Sequence, residues 1–465
     1  MYNTAKTKII ATIGPSSWDK SVLTDMISNG LSIARINSSF ANDEEITRVG
    51  KLVREISPRV ALMLDTQGSK VRIVNVKNDI NIQDQTIISS SSNTRGIQIS
   101  YPNVHQYLKP NDLILLDDGN IELTVERVEG EEVLCRVIQE GVLKPNKTVF
   151  LPSVRLELPI LTERDKDSIA SALKNDYDFL SISFVRTKGD IEVIKQIVGQ
   201  SDIKIIAKIE NQEGLDNFDE ILSIADGIMI ARGDLGVEIP YEKLPVLQKQ
   251  LIYRCRAVGK PVIVATQMLE SMRENVRPTR AEVSDVANAV MDGTDAVMLS
   301  AETSTGKYPV EAVKALQRIS KEAEGVMQTS KVYGTTEASR EVDELCRNAC
   351  DIVENTNIKG IVVLSNMGKT LPSLCRHRPN IPVWSISNKI KRIRQERIFF
   401  GVTSYYIREF PTDRDETIES AVDIVFSHGE LDLNDKIAII SGSSIRHNSE
   451  DATLEIVTVK DVLSR

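Results

Sequence analysis

The chain has 465 residues, enough for two or three separate cores, and its 41% apolar, 26% charged and 5% aromatic side chains are those of an ordinary globular protein. A formal net charge of −9 excludes a surface built as a nucleic-acid footprint, so an anionic ligand has to be met by local positive charge. Five cysteines without metal-like spacing fit a reducing compartment, and no apolar stretch reaches the roughly 20 residues of a membrane span.

M-Y-N-T-A-K runs straight into a strand-like segment with no signal-peptide pattern, so a cytoplasmic protein with no membrane partner is expected. Eight short Ile- and Val-rich runs then follow in order: 8–13, 32–37, 60–65, 178–183, 203–210, 227–234, 261–266 and 295–300. They are too apolar for half-exposed antiparallel strands and read as a buried parallel sheet. Amphipathic helices separate most of them. One is capped by Asp19 and stopped at Gly30, and two open on the capping boxes T-E-R-D (162–165) and T-R-A-E (279–282). Eight βα units in series predict a (β/α)8 barrel. The alternative, a doubly wound open sheet, is weakened because no glycine-rich dinucleotide fingerprint follows the first strand.

The series is interrupted once. Residues 70 to about 154 alternate and turn without a long helix, and I-E-L-T-V-E-R-V-E-G-E-E-V-L-C-R-V reads as two strands around Gly130. This is an inserted all-β domain, placed after strand three where it would act as a lid. Beyond a polar joint at 328–340, strand-like runs at 360–365, 382–387, 402–407 and 436–441 alternate with helices as a C-terminal α/β domain. Cys346 and Cys350 lie one turn apart on a helix. The expected division is 1–69 and 155–332 for the barrel, 70–154 for the lid and 333–465 for the last domain.

Barrel chemistry collects at the C-terminal strand ends. Those ends carry Arg35 and Asn37, Asp65 and Thr66, Lys208 and Glu210, Arg232 and Asp234, Thr266, and Ser300 with Glu302. Lys208 and Glu210, two apart, point to one face. With Asp234 from the next strand and no His or Cys nearby, the carboxylates suit Mg2+ or Mn2+; the bland alternative is a salt-bridged rim with Arg232. A-R-G-D-L-G (231–236) reads as a turn into a helix whose Gly233 lets backbone N–H groups approach an anion. Arg35 adds a fixed cation. Thr266 and Ser300 either offer hydroxyls to a ligand or cap their strands. Together these groups suit a small phosphorylated carboxylate.

K-I-E-N-Q-E-G (208–214), A-R-G-D-L-G-V-E-I-P (231–240), V-A-T-Q-M-L-E-S-M (264–272), R-P-T-R-A-E (277–282) and D-G-T-D-A-V-M-L-S-A-E-T (292–303) resemble pyruvate kinase, as do T-K-I-I-A-T-I-G-P-S-S (7–17) and L-D-D-G (116–119). The resemblance runs over nearly the whole chain. It implies transfer of a phosphoryl group from phosphoenolpyruvate to ADP, the last step of glycolysis. Lys208 would stabilise the phosphoryl group in transit and the enolate, Glu210 and Asp234 would hold Mg2+, and Arg35 would contact phosphate. Gly233 and Thr266 would hold the substrate carboxylate, with Thr266 and Ser300 near the carbon that is protonated. Arg72 and Lys147 would contact nucleotide phosphates. The family is usually a homotetramer and often allosteric. Its effector-phosphate loop is similar to S-N-M-G-K-T (365–370), giving Ser365, Lys369 and Thr370 as candidates for a sugar-phosphate or nucleotide effector, and aligns a second segment with 442–449. A Walker loop is excluded there because its first glycine position is Val363.

Departures from the family pattern are informative. R-I-N-S-S-F-A (35–41) has Phe40 and Ala41 where the family has histidine and glycine, which puts one nucleotide contact in doubt and leaves the metal site untouched. D-T-Q-G-S-K-V-R (65–72) keeps Asp65 and Thr66, which with Asn37 and Ser39 match the family's K+ ligands, but Lys70 replaces a glutamate. Each unit of that charge change, about 6 Å away at an effective dielectric of 20, is worth roughly 3 kcal/mol. Within the family, lysine here goes with activity that does not require K+, so K+ independence is expected. Two other readings compete: a metal-dependent aldolase or lyase acting on a pyruvate-type substrate, and a catalytically weak regulatory relative.

Overall fold

A computed structural model of the chain describes residues 5–92, 95–152, 154–328, 332–365, 368–442 and 452–463. The barrel strands are β1 (Lys8–Thr12), β2 (Leu31–Asn37), β3 (Ala61–Asp65), β4 (Phe179–Ile182), β5 (Lys204–Ile209), β6 (Gly227–Ala231), β7 (Val262–Ala265) and β8 (Ala296–Leu299). All neighbours are parallel, and the sheet closes where Lys8 stands beside Ala296. Strand alternation divides the side chains into two cores. Ile10, Ile33, Met63, Ile206, Met229, Ile263 and Met298 fill the inside. Ile9, Leu62, Leu64, Leu180, Ile205 and Ile228 pack outward against the helices. Burial on both faces is why these strands read as continuous apolar runs.

The expected helix signals are present. Asp19 accepts from the N–H groups of Ser21 and Val22, and Thr162 and Thr279 form capping boxes with Asp165 and Glu282. Asp165 has a second use. Its carboxylate accepts from the N–H groups of Gln67 (2.7 Å) and Gly68 (3.2 Å), and the Ser69 hydroxyl donates to the Pro159 carbonyl at 2.7 Å. The outgoing and returning chains of the insertion are thus stapled together at a neck. The barrel pairing continues across it, with Phe179 of β4 beside Met63 of β3.

The insertion has its own core and two sheets, one of six strands and one of two. Its central hairpin, Ile121–Glu129 with Glu132–Gln139, turns at Gly130, whose φ of +61° suits glycine. The C-terminal domain is a five-stranded sheet in the order Val402–Tyr406, Val383–Ser387, Ile358–Leu364, Lys436–Gly442, Ala452–Thr458. Four of these strands are the expected ones, and they pair in parallel. The fifth is an addition to the sequence reading: Ala452–Thr458 pairs antiparallel at the edge and is only half buried, so it lacks the continuous apolar signal. Cys346 and Cys350 lie buried on one face of the helix Arg340–Glu354, and all five cysteines are free and buried.

The C-terminal domain closes the bottom of the barrel. Ile398 packs into the inner barrel core, with Phe399 against it. Arg394 Nε donates to Asp178 Oδ1 (2.6 Å), and Arg378 Nη2 donates to Asp295 Oδ2 (2.8 Å). Among the described residues no helix is long and apolar enough to cross a membrane.

Candidate functional site

The C-terminal ends of the strands bring the expected charges together. Arg35, from β2, donates through Nε to Asp65 Oδ2 and through Nη1 to the Thr12 hydroxyl, both at 2.6 Å. Lys208, from β5, reaches Asp65 Oδ1 (3.1 Å), the Ser183 hydroxyl (2.7 Å) and Glu210 Oε1 (3.2 Å). All four charged groups are nearly excluded from water. Burial pushes the Asp65 carboxyl up, but Arg35 and Lys208 outweigh it and hold it below the usual range. Burial opposes the Lys208 charge too, yet Asp65 and Glu210 raise its pKa overall, so it is a locked cation.

Glu210 also accepts from the Phe184 N–H at 2.8 Å. Burial raises its pKa; Lys208 works against the rise and the like charge of Asp234 adds to it. Two hard oxygen donors, Glu210 just past β5 and Asp234 in the first turn of the helix after β6, fit a divalent cation between them. Among the described residues no group of three or more His, Cys, Asp or Glu side chains is arranged to hold a metal ion by itself.

Several expected residues are engaged differently from the sequence reading. Arg232 does not form a rim with Asp234. It makes a two-pronged pair with Asp285, both contacts 2.7 Å, and donates to the Thr266 carbonyl at 2.9 Å. The helix begins directly at Arg232, spans Arg232–Glu238, and the Gly233 N–H donates to the Thr266 hydroxyl at 2.7 Å. Thr266 has φ +69° and its hydroxyl donates back to the Ala265 carbonyl, so the capping role is realised at a strained strand end. The Ser300 N–H is held by Glu302, which also accepts from the Leu269 N–H. Asn37 accepts from the Ser39 N–H, and the Thr66 hydroxyl accepts from the Ser183 N–H. Phe40 is 84% exposed, presenting a bare ring at the barrel mouth.

Lys70 sits at the neck and donates to Asp234 Oδ1 at 2.8 Å, with its ammonium 4.6 Å from the centre of the Phe184 ring. On the insertion, Arg72 and Thr148 form an isolated β-bridge, so Arg72 and Lys147 lie on adjoining segments. Lys147 pairs with Asp117 at 2.5 Å, and Arg72 donates to the Asn146 carbonyl. The Asp117 turn approaches the barrel: a Cβ on Gly119 would lie 3.7 Å from Val237. Beneath the neck a cavity of about 220 Å3 is lined by Val71, Phe150, Leu158 and Phe184.

The sequence reading missed Ser183, Phe184, Thr12 and Glu238. Phe184 has φ +57° and no polar side chain, so only its S-I-S-F-V-R context at the end of β4 marked it. Glu238 lies behind Asp234; burial and that neighbour's charge push it up to about 7. Away from the mouth, Ser365 is buried and donates to Glu396 rather than facing a ligand. Lys369 lines a cleft of about 580 Å3 between the C-terminal domain and the barrel bottom, with Lys204, Lys260, Lys391 and Arg392. Thr370 opens the helix Thr370–Cys375. Met367 and the segment 443–449 lie outside the described residues.

Comparison with known proteins shows what the chain as a whole is similar to. Residues 4–313 match the family model described as pyruvate kinase, barrel domain, and residues 343–457 the one described as pyruvate kinase, alpha/beta domain. The chain is 38% identical to a pyruvate kinase of Geobacillus stearothermophilus, over 99% of this chain and 81% of that one. It is 37% identical to one of Clostridium acetobutylicum, over 94% and 96% respectively. A crystal structure of a pyruvate kinase from Cryptosporidium parvum superposes with a TM-score of 0.90 at 32% identity, covering 98% of this chain and 96% of that one.

Proposed function

The chain belongs to the pyruvate kinase family and is a phosphotransferase, and we propose that at the barrel mouth it moves the phosphoryl group of phosphoenolpyruvate to ADP with Mg2+ or Mn2+. The observation that carries this is the Lys208 ammonium, locked by Asp65, Ser183 and Glu210 beside the Glu210–Asp234 carboxylate pair. Phosphoryl transfer passes through a loose transition state that needs position and charge more than a covalent nucleophile. A divalent ion on Glu210 and Asp234 would supply charge neutralisation at the phosphate oxygens. Lys208 and Arg35 face the transferring group with cations whose orientation is already fixed, so little reorganisation is required. Gly233 and Thr266 would give up their mutual hydrogen bond to hold the substrate carboxylate, and the family resemblance assigns the Thr266 and Ser300 hydroxyls to the neighbourhood of the carbon that takes a proton. Arg72 and Lys147 bring the nucleotide phosphates in on the lid, Lys147 exchanging Asp117 for the ligand.

Lys70 supplies a tethered positive charge at a mouth where Asn37, Ser39, Asp65 and Thr66 form a K+-type site, so the enzyme is K+-independent in this reading. A phosphorylated effector acts through the loop of Ser365, Lys369 and Thr370, of which Lys369 lines the lysine-rich cleft, in a homotetramer in the cytoplasm. The test is pyruvate formation from phosphoenolpyruvate, ADP and Mg2+, once with K+ and once with tetramethylammonium at equal ionic strength. Equal rates are expected. Activity in K+ alone would leave the kinase standing and overturn the role of Lys70. ADP-independent turnover would point to the lyase instead.

A further inference from the structure

Three contacts around Lys70 form one connected device. Its ammonium donates to Asp234 Oδ1 at 2.8 Å and lies over the Phe184 ring at 4.6 Å. The Phe184 N–H, from a residue strained at φ +57°, holds Glu210 at 2.8 Å. Lys70 and Asp234 are each about a quarter exposed, with relative side-chain accessibilities of 22% and 25%, so the pair is open enough to exchange partners. One residue of β4's exit loop therefore fixes one metal-binding carboxylate through its backbone and steadies, through its ring, the cation that covers the other.

From this geometry we propose that Lys70 is a positioning residue that occupies Asp234 in place of the divalent ion, and that the ion binds by displacing it. The inference rests on Glu210 and Asp234 being the metal ligands. Without a cation, two acidic side chains at adjacent strand ends would repel each other and drift apart. The lysine keeps Asp234 aimed into the site and neutralised until the metal arrives. Displacement then has two effects. The metal must compete with a bound ammonium, which lowers its apparent affinity. The freed ammonium, still tethered at the neck, becomes available to the anionic substrate. Metal occupancy and the tethered monovalent charge are thereby coupled through a single side chain.

The test is binding of Mn2+ to the full-length enzyme without substrate, read from loss of the free-ion electron paramagnetic resonance signal. Lys70→Met keeps an unbranched stem for the Phe184 ring and removes the charge; it is expected to tighten Mn2+ binding about tenfold. Lys70→Arg keeps the charge and is expected to bind Mn2+ within about twofold of the wild type, a rescue that a merely structural role would not predict. Lys70→Gln is a second neutral variant in case the methionine disturbs folding. Glu210→Gln separates the two layers. If it leaves Mn2+ affinity unchanged, the metal site itself is misassigned. If it abolishes binding while both neutral Lys70 variants bind Mn2+ like the wild type or more weakly, the metal site stands and the displacement proposal is overturned.

Discussion

Lys208 keeps its charge in a nearly dry position because three acceptors surround it, and two of them are carboxylates. Lys208→Met removes the cation and leaves Asp65 and Glu210 facing each other across the gap. Loss of at least about 1,000-fold in kcat is expected, with a lowered thermal midpoint; steady-state kinetics and calorimetry on one preparation check both. Glu238 gives a pH prediction. Burial and then the Asp234 charge raise its pKa from 4.5 to about 7. The native state therefore holds this proton where the unfolded chain has released it. Stability falls as pH rises from about 4.5 to 7 and levels off above, a loss of about 3 kcal/mol. In EDTA, Glu238→Gln should match the wild type near pH 4.5 and exceed it increasingly toward pH 7.5; parallel urea midpoints across that range would contradict this. At this scale the sequence was readable where charge marked the residue. Lys208, Glu210 and Asp234 declared themselves by type and spacing. Ser183 and Phe184 did not, because a hydroxyl and a backbone N–H carry their roles. The Arg232–Asp285 pair joins residues too far apart in sequence to be matched by pattern.

Elements carry the site through loop geometry. Gly214 lies in the short helix Gln212–Asp216 after β5, and a Cβ there would lie 2.6 Å from the Val185 carbonyl, a backbone atom that must move. Val185 belongs to the loop after β4 that also carries Ser183 and Phe184. Gly214→Ala is expected to lower kcat by about 10- to 100-fold while far-ultraviolet circular dichroism stays unchanged. A lost helix signal would mean a folding defect instead. The eight barrel strands were legible because burial on both faces turns a parallel strand into an unbroken Ile and Val run. Ala452–Thr458 was not, since a half-buried edge strand mixes threonine and glutamate with its apolar residues.

The whole molecule is held together from below. Asp178 collects Arg394, Arg54 and the Leu62 N–H, while Asp295 collects Arg378, the Val262 N–H and the Phe400 N–H. Arg378 is almost fully buried. Arg378→Ala leaves Asp295 without its cationic partner and is expected to cost about 3–5 kcal/mol; chemical denaturation followed at Trp384, buried in the C-terminal sheet, would report it. A loss under about 1 kcal/mol would show that the backbone donors suffice for Asp295. The order of the three parts was legible from the alternation of strand and helix signals. Their docking was not, because Ile398 reads as one more apolar residue until the open barrel bottom gives it a place.

The staple at the neck has a mechanical consequence. Gln67, Gly68 and Ser69 are pinned to Asp165 and Pro159, and Lys70 follows one residue later. If the insertion moves as a lever, that staple is its fulcrum. Arg72 and Lys147 would then travel farther than Lys70, because displacement grows with distance from the support. The ammonium on Asp234 would be nearly deaf to the sweep of such an arm, since it sits one residue from the pinned chain.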